Sequence, residues 1–197
     1  MIFLEHIISQ KSDFANINFP TAIGGHVWEQ VDPLPIFSSL FGDCIKNKRD
    51  FTNSGARHND ECYMCVGFPN IVDSLLVIKT LCFDKKKYTL KEVLNAVRDN
   101  WNGYDEMRFD AIHYCGWGDG SEQSCTLAKR FNTDLYNMLS KLQGQYGGKV
   151  NLGHLTYTEI RFWGEKTLAT PDGRYNGDYI SQGLTPSRLK KFHLLTM

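Results

Sequence analysis

Ile71-Val72-Asp73-Ser74-Leu75-Leu76-Val77-Ile78-Lys79-Thr80-Leu81-Cys82-Phe83 follows Pro69-Asn70 and reads as a helix over 71–83. Ile71, Val72, Leu75, Leu76, Ile78, Leu81 and Cys82 are apolar nearly all round its axis. A helix with one apolar stripe covers a core, whereas one that is apolar on every side must itself be covered on every side. The stretch therefore predicts a buried helix inside a larger body.

The flanks support a helix-rich chain. Downstream, Thr89-Leu90-Lys91-Glu92 has the spacing of a capping box. It opens a helix that carries Leu90, Val93, Leu94, Val97 and Trp101 on one face and that Gly103 ends. A short helix over 105–113, a Gly-rich turn over 116–120 and a long helix over 122–143 follow. Val150 to Ile160 alternates and is β-branched or aromatic, which predicts a strand. Thr170-Pro171-Asp172-Gly173-Arg174 is a turn: Pro presets one position and Gly supplies the positive φ. Upstream, Ile36, Phe37, Leu40, Phe41, Cys44 and Ile45 fall on one stripe of a helix over 36–48. Asn53 to Asn59 is polar and Gly-containing, a loop. Met1 to Ile8 suits a short helix or strand, and Phe19 to Gly25 a loop.

Composition bounds the function. Lys plus Arg number 22 and Asp plus Glu number 22, so the 197-residue chain is formally neutral. That balance excludes a chain built to coat nucleic acid or an anionic membrane, since both need a basic excess. No run of about 18 apolar residues exists to span a bilayer. The start, Met1-Ile2-Phe3-Leu4-Glu5-His6, lacks the basic region of a signal peptide. These features predict a cytoplasmic chain whose six cysteines are reduced thiols.

Three constellations could carry chemistry. Cys62 and Cys65 form a C-x-x-C pair with His58 nearby, and Cys115 and Cys125 lie some fifty residues on. These four thiols could make a tetrahedral zinc site; the simpler reading makes each a small buried hydrophobe. Gly116-Trp117-Gly118-Asp119-Gly120 resembles a phosphate cradle, but it follows a helix and no Lys-Ser/Thr pair comes after it. No nucleophile elbow and no H-E-x-x-H is present, and His154 in the strand reads as a packing or hydrogen-bonding residue.

Four ordered blocks carry a resemblance to a known family. Asp43-Cys44-Ile45 with Arg49-Asp50-Phe51-Thr52-Asn53-Ser54-Gly55-Ala56-Arg57-His58-Asn59 resembles the "GC-I…GRD-T-GGARYN" segment of glycyl-radical enzymes. Val72 to Thr80 with Phe83 is similar to that family's "ADSLAAIKKLVF" helix. Thr89 to Ala96, continued by Asn100-Trp101-Asn102-Gly103-Tyr104-Asp105, resembles its "TLEEL…AL…N-EGYE" block. Ala169-Thr170-Pro171-Asp172-Gly173-Arg174 with Gly183-Leu184-Thr185-Pro186-Ser187 resembles its "ATPDGR…GLSPS" block. The resemblance is to the pyruvate formate-lyase-like domain, nearer its dehydratase-like branches. It divides the chain into a poorly matched segment 1–35, a partial pyruvate formate-lyase-like domain 36–188 and a divergent tail 189–197.

The resemblance implies a fold: a helix-rich, partial segment of a ten-stranded α/β barrel. It implies radical cleavage of a C–C or C–O bond in a small metabolite, formate C-acetyltransferase-like or dehydratase-like, in anaerobic metabolism. In the family a backbone glycyl radical oxidises a cysteine to a thiyl. The radical is installed by a separate S-adenosylmethionine and iron–sulfur activase, so no cofactor is expected on this chain directly. The thiyl Cys precedes the first matching block in the family, and no Arg-Val-x-Gly-Tyr occurs here. The expectation is a C-terminal-half fragment, inactive alone, whose Cys44 is structural and whose partners are a small-molecule substrate, the activase and a homodimer mate. A non-catalytic interaction subunit, or a small zinc module, remains open beside it. By resemblance Arg57, Asn59, Asp172 and Arg174 lie near the substrate site. From their chemistry alone, Arg57 suits an ion pair, Asn59 a turn cap, and Arg174 an anchor for its turn. The family's "KYGND" segment is replaced by His113 to Gly120.

Overall fold

The computed structural model describes residues 28–144, 146–155 and 160–186. The segments read above as Met1 to Ile8 and Phe19 to Gly25, the tail 189–197 and part of the predicted strand lie outside the described residues. The helices are α1 (Trp28–Val31), α2 (Pro35–Ser38), α3 (Cys44–Asn47), α4 (Phe68–Ile78), α5 (Leu90–Arg98), α6 (Asp105–Tyr114), α7 (Glu122–Leu139) and α8 (Ile160–Lys166). A 3-10 turn spans Phe51–Asn53 and a π-helical segment Lys79–Asp84. Strands β1 (Glu61–Met64) and β2 (Val150–Gly153) pair in a two-stranded sheet. The amide of Glu61 bonds Lys149 O and that of Cys65 bonds Gly153 O. Both strands thus advance together, the mark of parallel pairing, which requires a long crossover. The expected class, helix-rich α/β, is what forms. Two compact units divide the chain: residues up to Tyr63 with Asp134–Leu152, and Met64–Thr133 with the residues from Gly153 on.

In the second unit α4 is the central element. It starts earlier than its apolar run, at Phe68, because Gly67 adopts φ 78 ahead of it and Pro69 sits in its first turn, where a missing N–H costs nothing. Its surroundings explain its composition. Phe68, Val72 and Leu76 pack with Ala128 of α7, flanked by Trp117, Leu127 and Phe131. Val77 and, beyond α4, Leu81 join Val93, Ala96, Trp101, Met107, Ala111, Cys115 and Ala169 in a second cluster. Helix α4 and its extension are therefore packed on two sides by apolar layers, but not on every side as expected: Leu75 is 36% and Phe83 61% exposed. The extension is wider than an α-helix: the Lys85 amide bonds Thr80 O, five residues back.

Helix α5 begins as read. The Thr89 hydroxyl accepts from the Glu92 amide at 3.2 Å, and Glu92 accepts from the Thr89 amide at 2.7 Å. Its end and its buried face differ from the expectation. It stops at Arg98, and Asn100 and Trp101 take φ 54 and 62 ahead of Gly103. The buried residues are Val93 and Ala96, while Leu90 and Leu94 are 41% exposed. Trp101 reaches the core by leaving the helical path: its ring is buried, and its amide bonds Ala96 O at 2.7 Å.

Two elements correct the sequence reading. The helix expected over 36–48 is two single turns, α2 and α3, because Asp43 takes φ 73 and Lys48 φ 51. Its apolar stripe is not a core face either: Cys44 is buried, whereas Ile36, Leu40 and Ile45 are 85%, 78% and 73% exposed. The strand expected over 150–160 ends at Gly153, and Ile160 opens α8 instead. The turn at 170–174 is as expected, bridged antiparallel between Thr170 and Arg174, with Gly173 at φ 85.

Candidate functional site

In the first unit, the loop that carries Arg57 and Asn59 is built around Asp50. Asp50 is buried, and its carboxylate accepts from the Leu34 amide at 2.8 Å and from the Thr52 amide and hydroxyl at 2.9 and 2.8 Å. Burial pushes this carboxyl upward, but the bonds from Thr52, Ser38 and Leu34 outweigh it and hold the pKa at about 2. Ser54 turns the chain at φ 63. Gly55 follows where a Cβ would meet Arg49 O at 2.1 Å, so only glycine fits. Arg57 then meets Asp43 with two bonds, Nε to Oδ2 at 3.0 Å and Nη2 to Oδ1 at 3.2 Å. The Arg57 bond holds the Asp43 carboxyl below its ordinary range. The Arg57 side chain nevertheless stays 65% exposed. Asn59 donates to Ala56 O at 2.9 Å, closing the turn.

In the second unit, Asp172 and Arg174 come together in a buried polar network. Asn70, in the first turn of α4, donates from Nδ2 to Asp172 Oδ2 at 2.7 Å. Its Oδ1 accepts from both the amide and the hydroxyl of Ser181, each at 2.7 Å. One amide side chain thus ties three chain segments. Asp172 Oδ1 also accepts from the Thr170 hydroxyl and, at 3.3 Å, from the Arg174 amide. The Arg174 guanidinium donates to Thr167 O, Leu168 O and Asp178 O. Burial lowers its pKa from the ordinary arginine value, with Asp172 and Asp178 opposing. Gly173 is locked from outside: a Cβ there would meet Ile112 Cγ1 at 2.9 Å, and its carbonyl accepts from Arg108 Nε at 2.9 Å.

The Gly116–Gly120 segment is satisfied from within the chain. The amides of Gly116 and Trp117 both bond Asp73 Oδ1 at 2.8 Å. A carboxylate of the chain's own helix α4 occupies the donors that a bound phosphate would need, which is why this segment is no nucleotide cradle. The Trp117 indole donates to Leu184 O at 2.8 Å. Asn70, Asp73 and Ser181 were missed from sequence. The first two had a signal: two polar residues three apart in an apolar helix must find buried partners.

None of the six cysteines is joined in a disulfide. Cys62 and Cys125 are exposed, Cys65 is half-buried with its thiol pushed up by burial, and Cys115 is buried, donating to Asp172 O at 3.4 Å. Among the described residues no three His, Cys, Asp or Glu side chains are grouped to hold a metal ion. No such group gathers Cys62, Cys65, Cys115 and Cys125, the residues of the zinc alternative.

Comparison with known proteins gives one consistent outcome. The pyruvate formate lyase-like family matches residues 14–163. The trans-4-hydroxy-L-proline dehydratase of Clostridioides difficile is 29% identical over 157 residues, which is 79% of this chain and 20% of that enzyme. The (2S)-3-sulfopropanediol dehydratase of Klebsiella oxytoca is 28% identical over 159 residues, 80% of this chain and 19% of the relative. The glycerol-bound B12-independent glycerol dehydratase of Clostridium butyricum superposes with a TM-score of 0.72 at 28% identity, over 80% of this chain and 20% of that one. The chain spans about a fifth of the length of the relatives it matches.

Proposed function

The chain belongs to the pyruvate formate lyase-like family of glycyl-radical enzymes, and from that premise we propose that it serves as one segment of a dehydratase-like glycyl-radical enzyme, cleaving a C–O bond in a small hydroxylated metabolite. The observation that carries this reading is the family match over residues 14–163, taken with relatives that act on a hydroxylated amino acid and on a sulfonated diol by their names. C–C cleavage and formate C-acetyltransferase-like chemistry are the rival outcomes within the family. On this reading the family-matched residues contribute scaffold to the enzyme rather than the radical chemistry itself. A radical-installing activase and a homodimer mate would be partners of the assembled enzyme, in the cytoplasm of an anaerobe.

The four site residues divide by accessibility. Asp172 and Arg174 are buried, and their bonds go to their own chain. They shape the turn at 170–174. Asn59 closes its own loop. Arg57 alone of the four keeps an exposed guanidinium, which suits it to meet an anionic or hydroxylated substrate across the Asp43 pair. The test is to supply the chain, with and without the rest of a dehydratase barrel, with activase, S-adenosylmethionine and reductant under anaerobic conditions. The expected result is a glycyl-radical resonance and diol or hydroxyamino-acid dehydration only in the assembled sample. Turnover or a radical signal from the chain by itself would overturn the scaffold role.

A further inference from the structure

A cavity of about 230 Å³ opens in the first unit beside α3. Buried Ser38, Cys44 and Asp50 line it, so its floor is polar. Pro33, Pro35 and Ile45 give it apolar walls, and Glu29, Lys48 and Arg49 bring charge. The segment that carries the two cations is pinned: Lys48 turns at φ 51, and the Arg49 amide bonds Cys44 O at 3.2 Å. The Cys44 thiol is neutral, its pKa pushed up by burial and by the Asp50 and Asp43 carboxylates. Asp50 is charged but saturated: the Leu34 amide, the Thr52 amide and hydroxyl and the Ser38 hydroxyl together fill the roughly four acceptor sites of a carboxylate. Among the described residues Glu29 accepts only the Asp50 amide on Oε1 at 2.9 Å and Asn53 Nδ2 on Oε2 at 2.6 Å, which leaves an acceptor site open on each oxygen. Lys48 and Arg49 are exposed, and their side chains have no ion-pair or hydrogen-bond partner among the described residues.

We propose that this cavity binds a small zwitterion of the α-amino-acid class, its carboxylate on Lys48 and Arg49, its ammonium on Glu29 and its short side chain against Pro33, Pro35 and Ile45. The charge balance selects that class. Two carboxylates and two cations line the cavity. An anion therefore meets repulsion from Glu29 and Asp50, and a cation from Lys48 and Arg49. A ligand with both charges satisfies the open acceptor and the open donors together. The volume lies below the ~300–1,000 Å³ of a site for a drug-sized ligand, which limits the occupant to a few heavy atoms. The site goes beyond the dehydration reading and stands without it.

The full chain, isotope-labelled for amide NMR, is titrated at neutral pH and fixed ionic strength with L-alanine, propionate and ethylammonium. Propionate is alanine without its ammonium, and ethylammonium is alanine without its carboxylate. The expected result is a saturable, millimolar shift of the Cys44 to Asp50 amides with alanine. Either single-charge probe should bind roughly tenfold more weakly, the loss of one charged hydrogen bond. Glu29→Gln keeps the side chain's size and removes its charge, so it should erase the preference for alanine over propionate and keep that over ethylammonium. Lys48→Gln with Arg49→Gln should do the converse. A melt of each protein checks folding, and the double variant alters exposed side chains, so it reports even where Glu29→Gln does not fold. Unsaturated, linear shifts with all three probes overturn the proposal, as do shifts centred outside the cavity. Propionate binding the unaltered chain as tightly as alanine also overturns it, by making the cavity an anion site. An unchanged order of preference in folded variants does the same. No outcome here bears on radical-dependent dehydration, so failure of this site and failure of the function stay separable.

Discussion

Asn70 is a single side chain on which three segments depend. Its amide is used on both ends, toward Asp172 and toward Ser181. Replacing it with leucine leaves the Asp172 carboxylate and the Ser181 amide buried without that partner, a cost of about 3 kcal/mol. Asn70→Asp keeps the shape but sets a second carboxyl against Asp172, and should cost at least as much. Urea unfolding of both variants checks this; a loss under about 0.5 kcal/mol in both would show that the network is not a structural hub. His154 offers a second residue-scale prediction. Its Nε2 lies 2.6 Å from Asn132 Oδ1, its ring meets Phe68 edge-on at 4.8 Å, and its Nδ1 is buried without a partner among the described residues. An amide oxygen accepts, so Nε2 carries the hydrogen and Nδ1 is bare. Burial lowers its pKa. The stability it contributes is therefore complete above the unfolded value of about 6.5 and is lost as pH falls toward the folded value. His154→Gln should flatten the fall in melting temperature below about pH 6.5; an unchanged pH profile would assign that dependence elsewhere.

At the scale of elements, local signals were legible where the cause was local. The capping box at Thr89 and Glu92 is one such cause, and Thr89→Ala should cost about 1 kcal/mol, read by denaturant unfolding. The Gly173 turn is another. Its φ of 85 and the 2.9 Å approach of Ile112 predict that Gly173→Ala costs about 1–3 kcal/mol. Misreadings arose where tertiary structure overrode periodicity. Residues 36–48 keep a helical spacing, yet the left-handed Asp43, held by Arg57 fourteen residues on, breaks the helix. Nothing in the stripe itself encodes that contact. Strand β1 was hidden because its four residues, Glu61–Met64, carry too short an alternation. Helix α4 was legible as a core helix, though its Leu75 stays exposed, and its partners were not legible, since they lie in distant elements. The candidate site divides likewise: Gly173 was readable as a turn and Arg174 as its anchor, whereas Asn70 and Asp73 show their meaning only once residues 102 and 43 positions away are in place.

Across the whole molecule, thiol accessibility gives an index of folding. Cys62 and Cys125 are exposed, Cys44 and Cys115 buried. A disulfide reagent should titrate Cys62 and Cys125 within seconds to minutes and reach Cys44 and Cys115 only on unfolding. Mass spectrometry of the labelled peptides identifies each. Rapid labelling of Cys115 in native protein would contradict the buried cluster around it. The same scale carries the functional reading. The chain holds organised cores and closed polar networks, and presents large apolar side chains from α2, α8 and the segment before Pro186 outward. That distribution suits a part of a larger body, the inference first drawn from helix α4.

Trp101 has a use of its own. Its indole sits 1% exposed among Val93, Ala96 and Met107, and its N–H has no partner among the described residues. An excited indole in such surroundings has no water dipoles to reorganise around it, so its emission stays at the blue end of the tryptophan range. Trp163, 44% exposed, emits further red. Light from the blue component is thus a built-in gauge of whether the cluster around α5 and α6 is closed, and it can be watched as a partner is added.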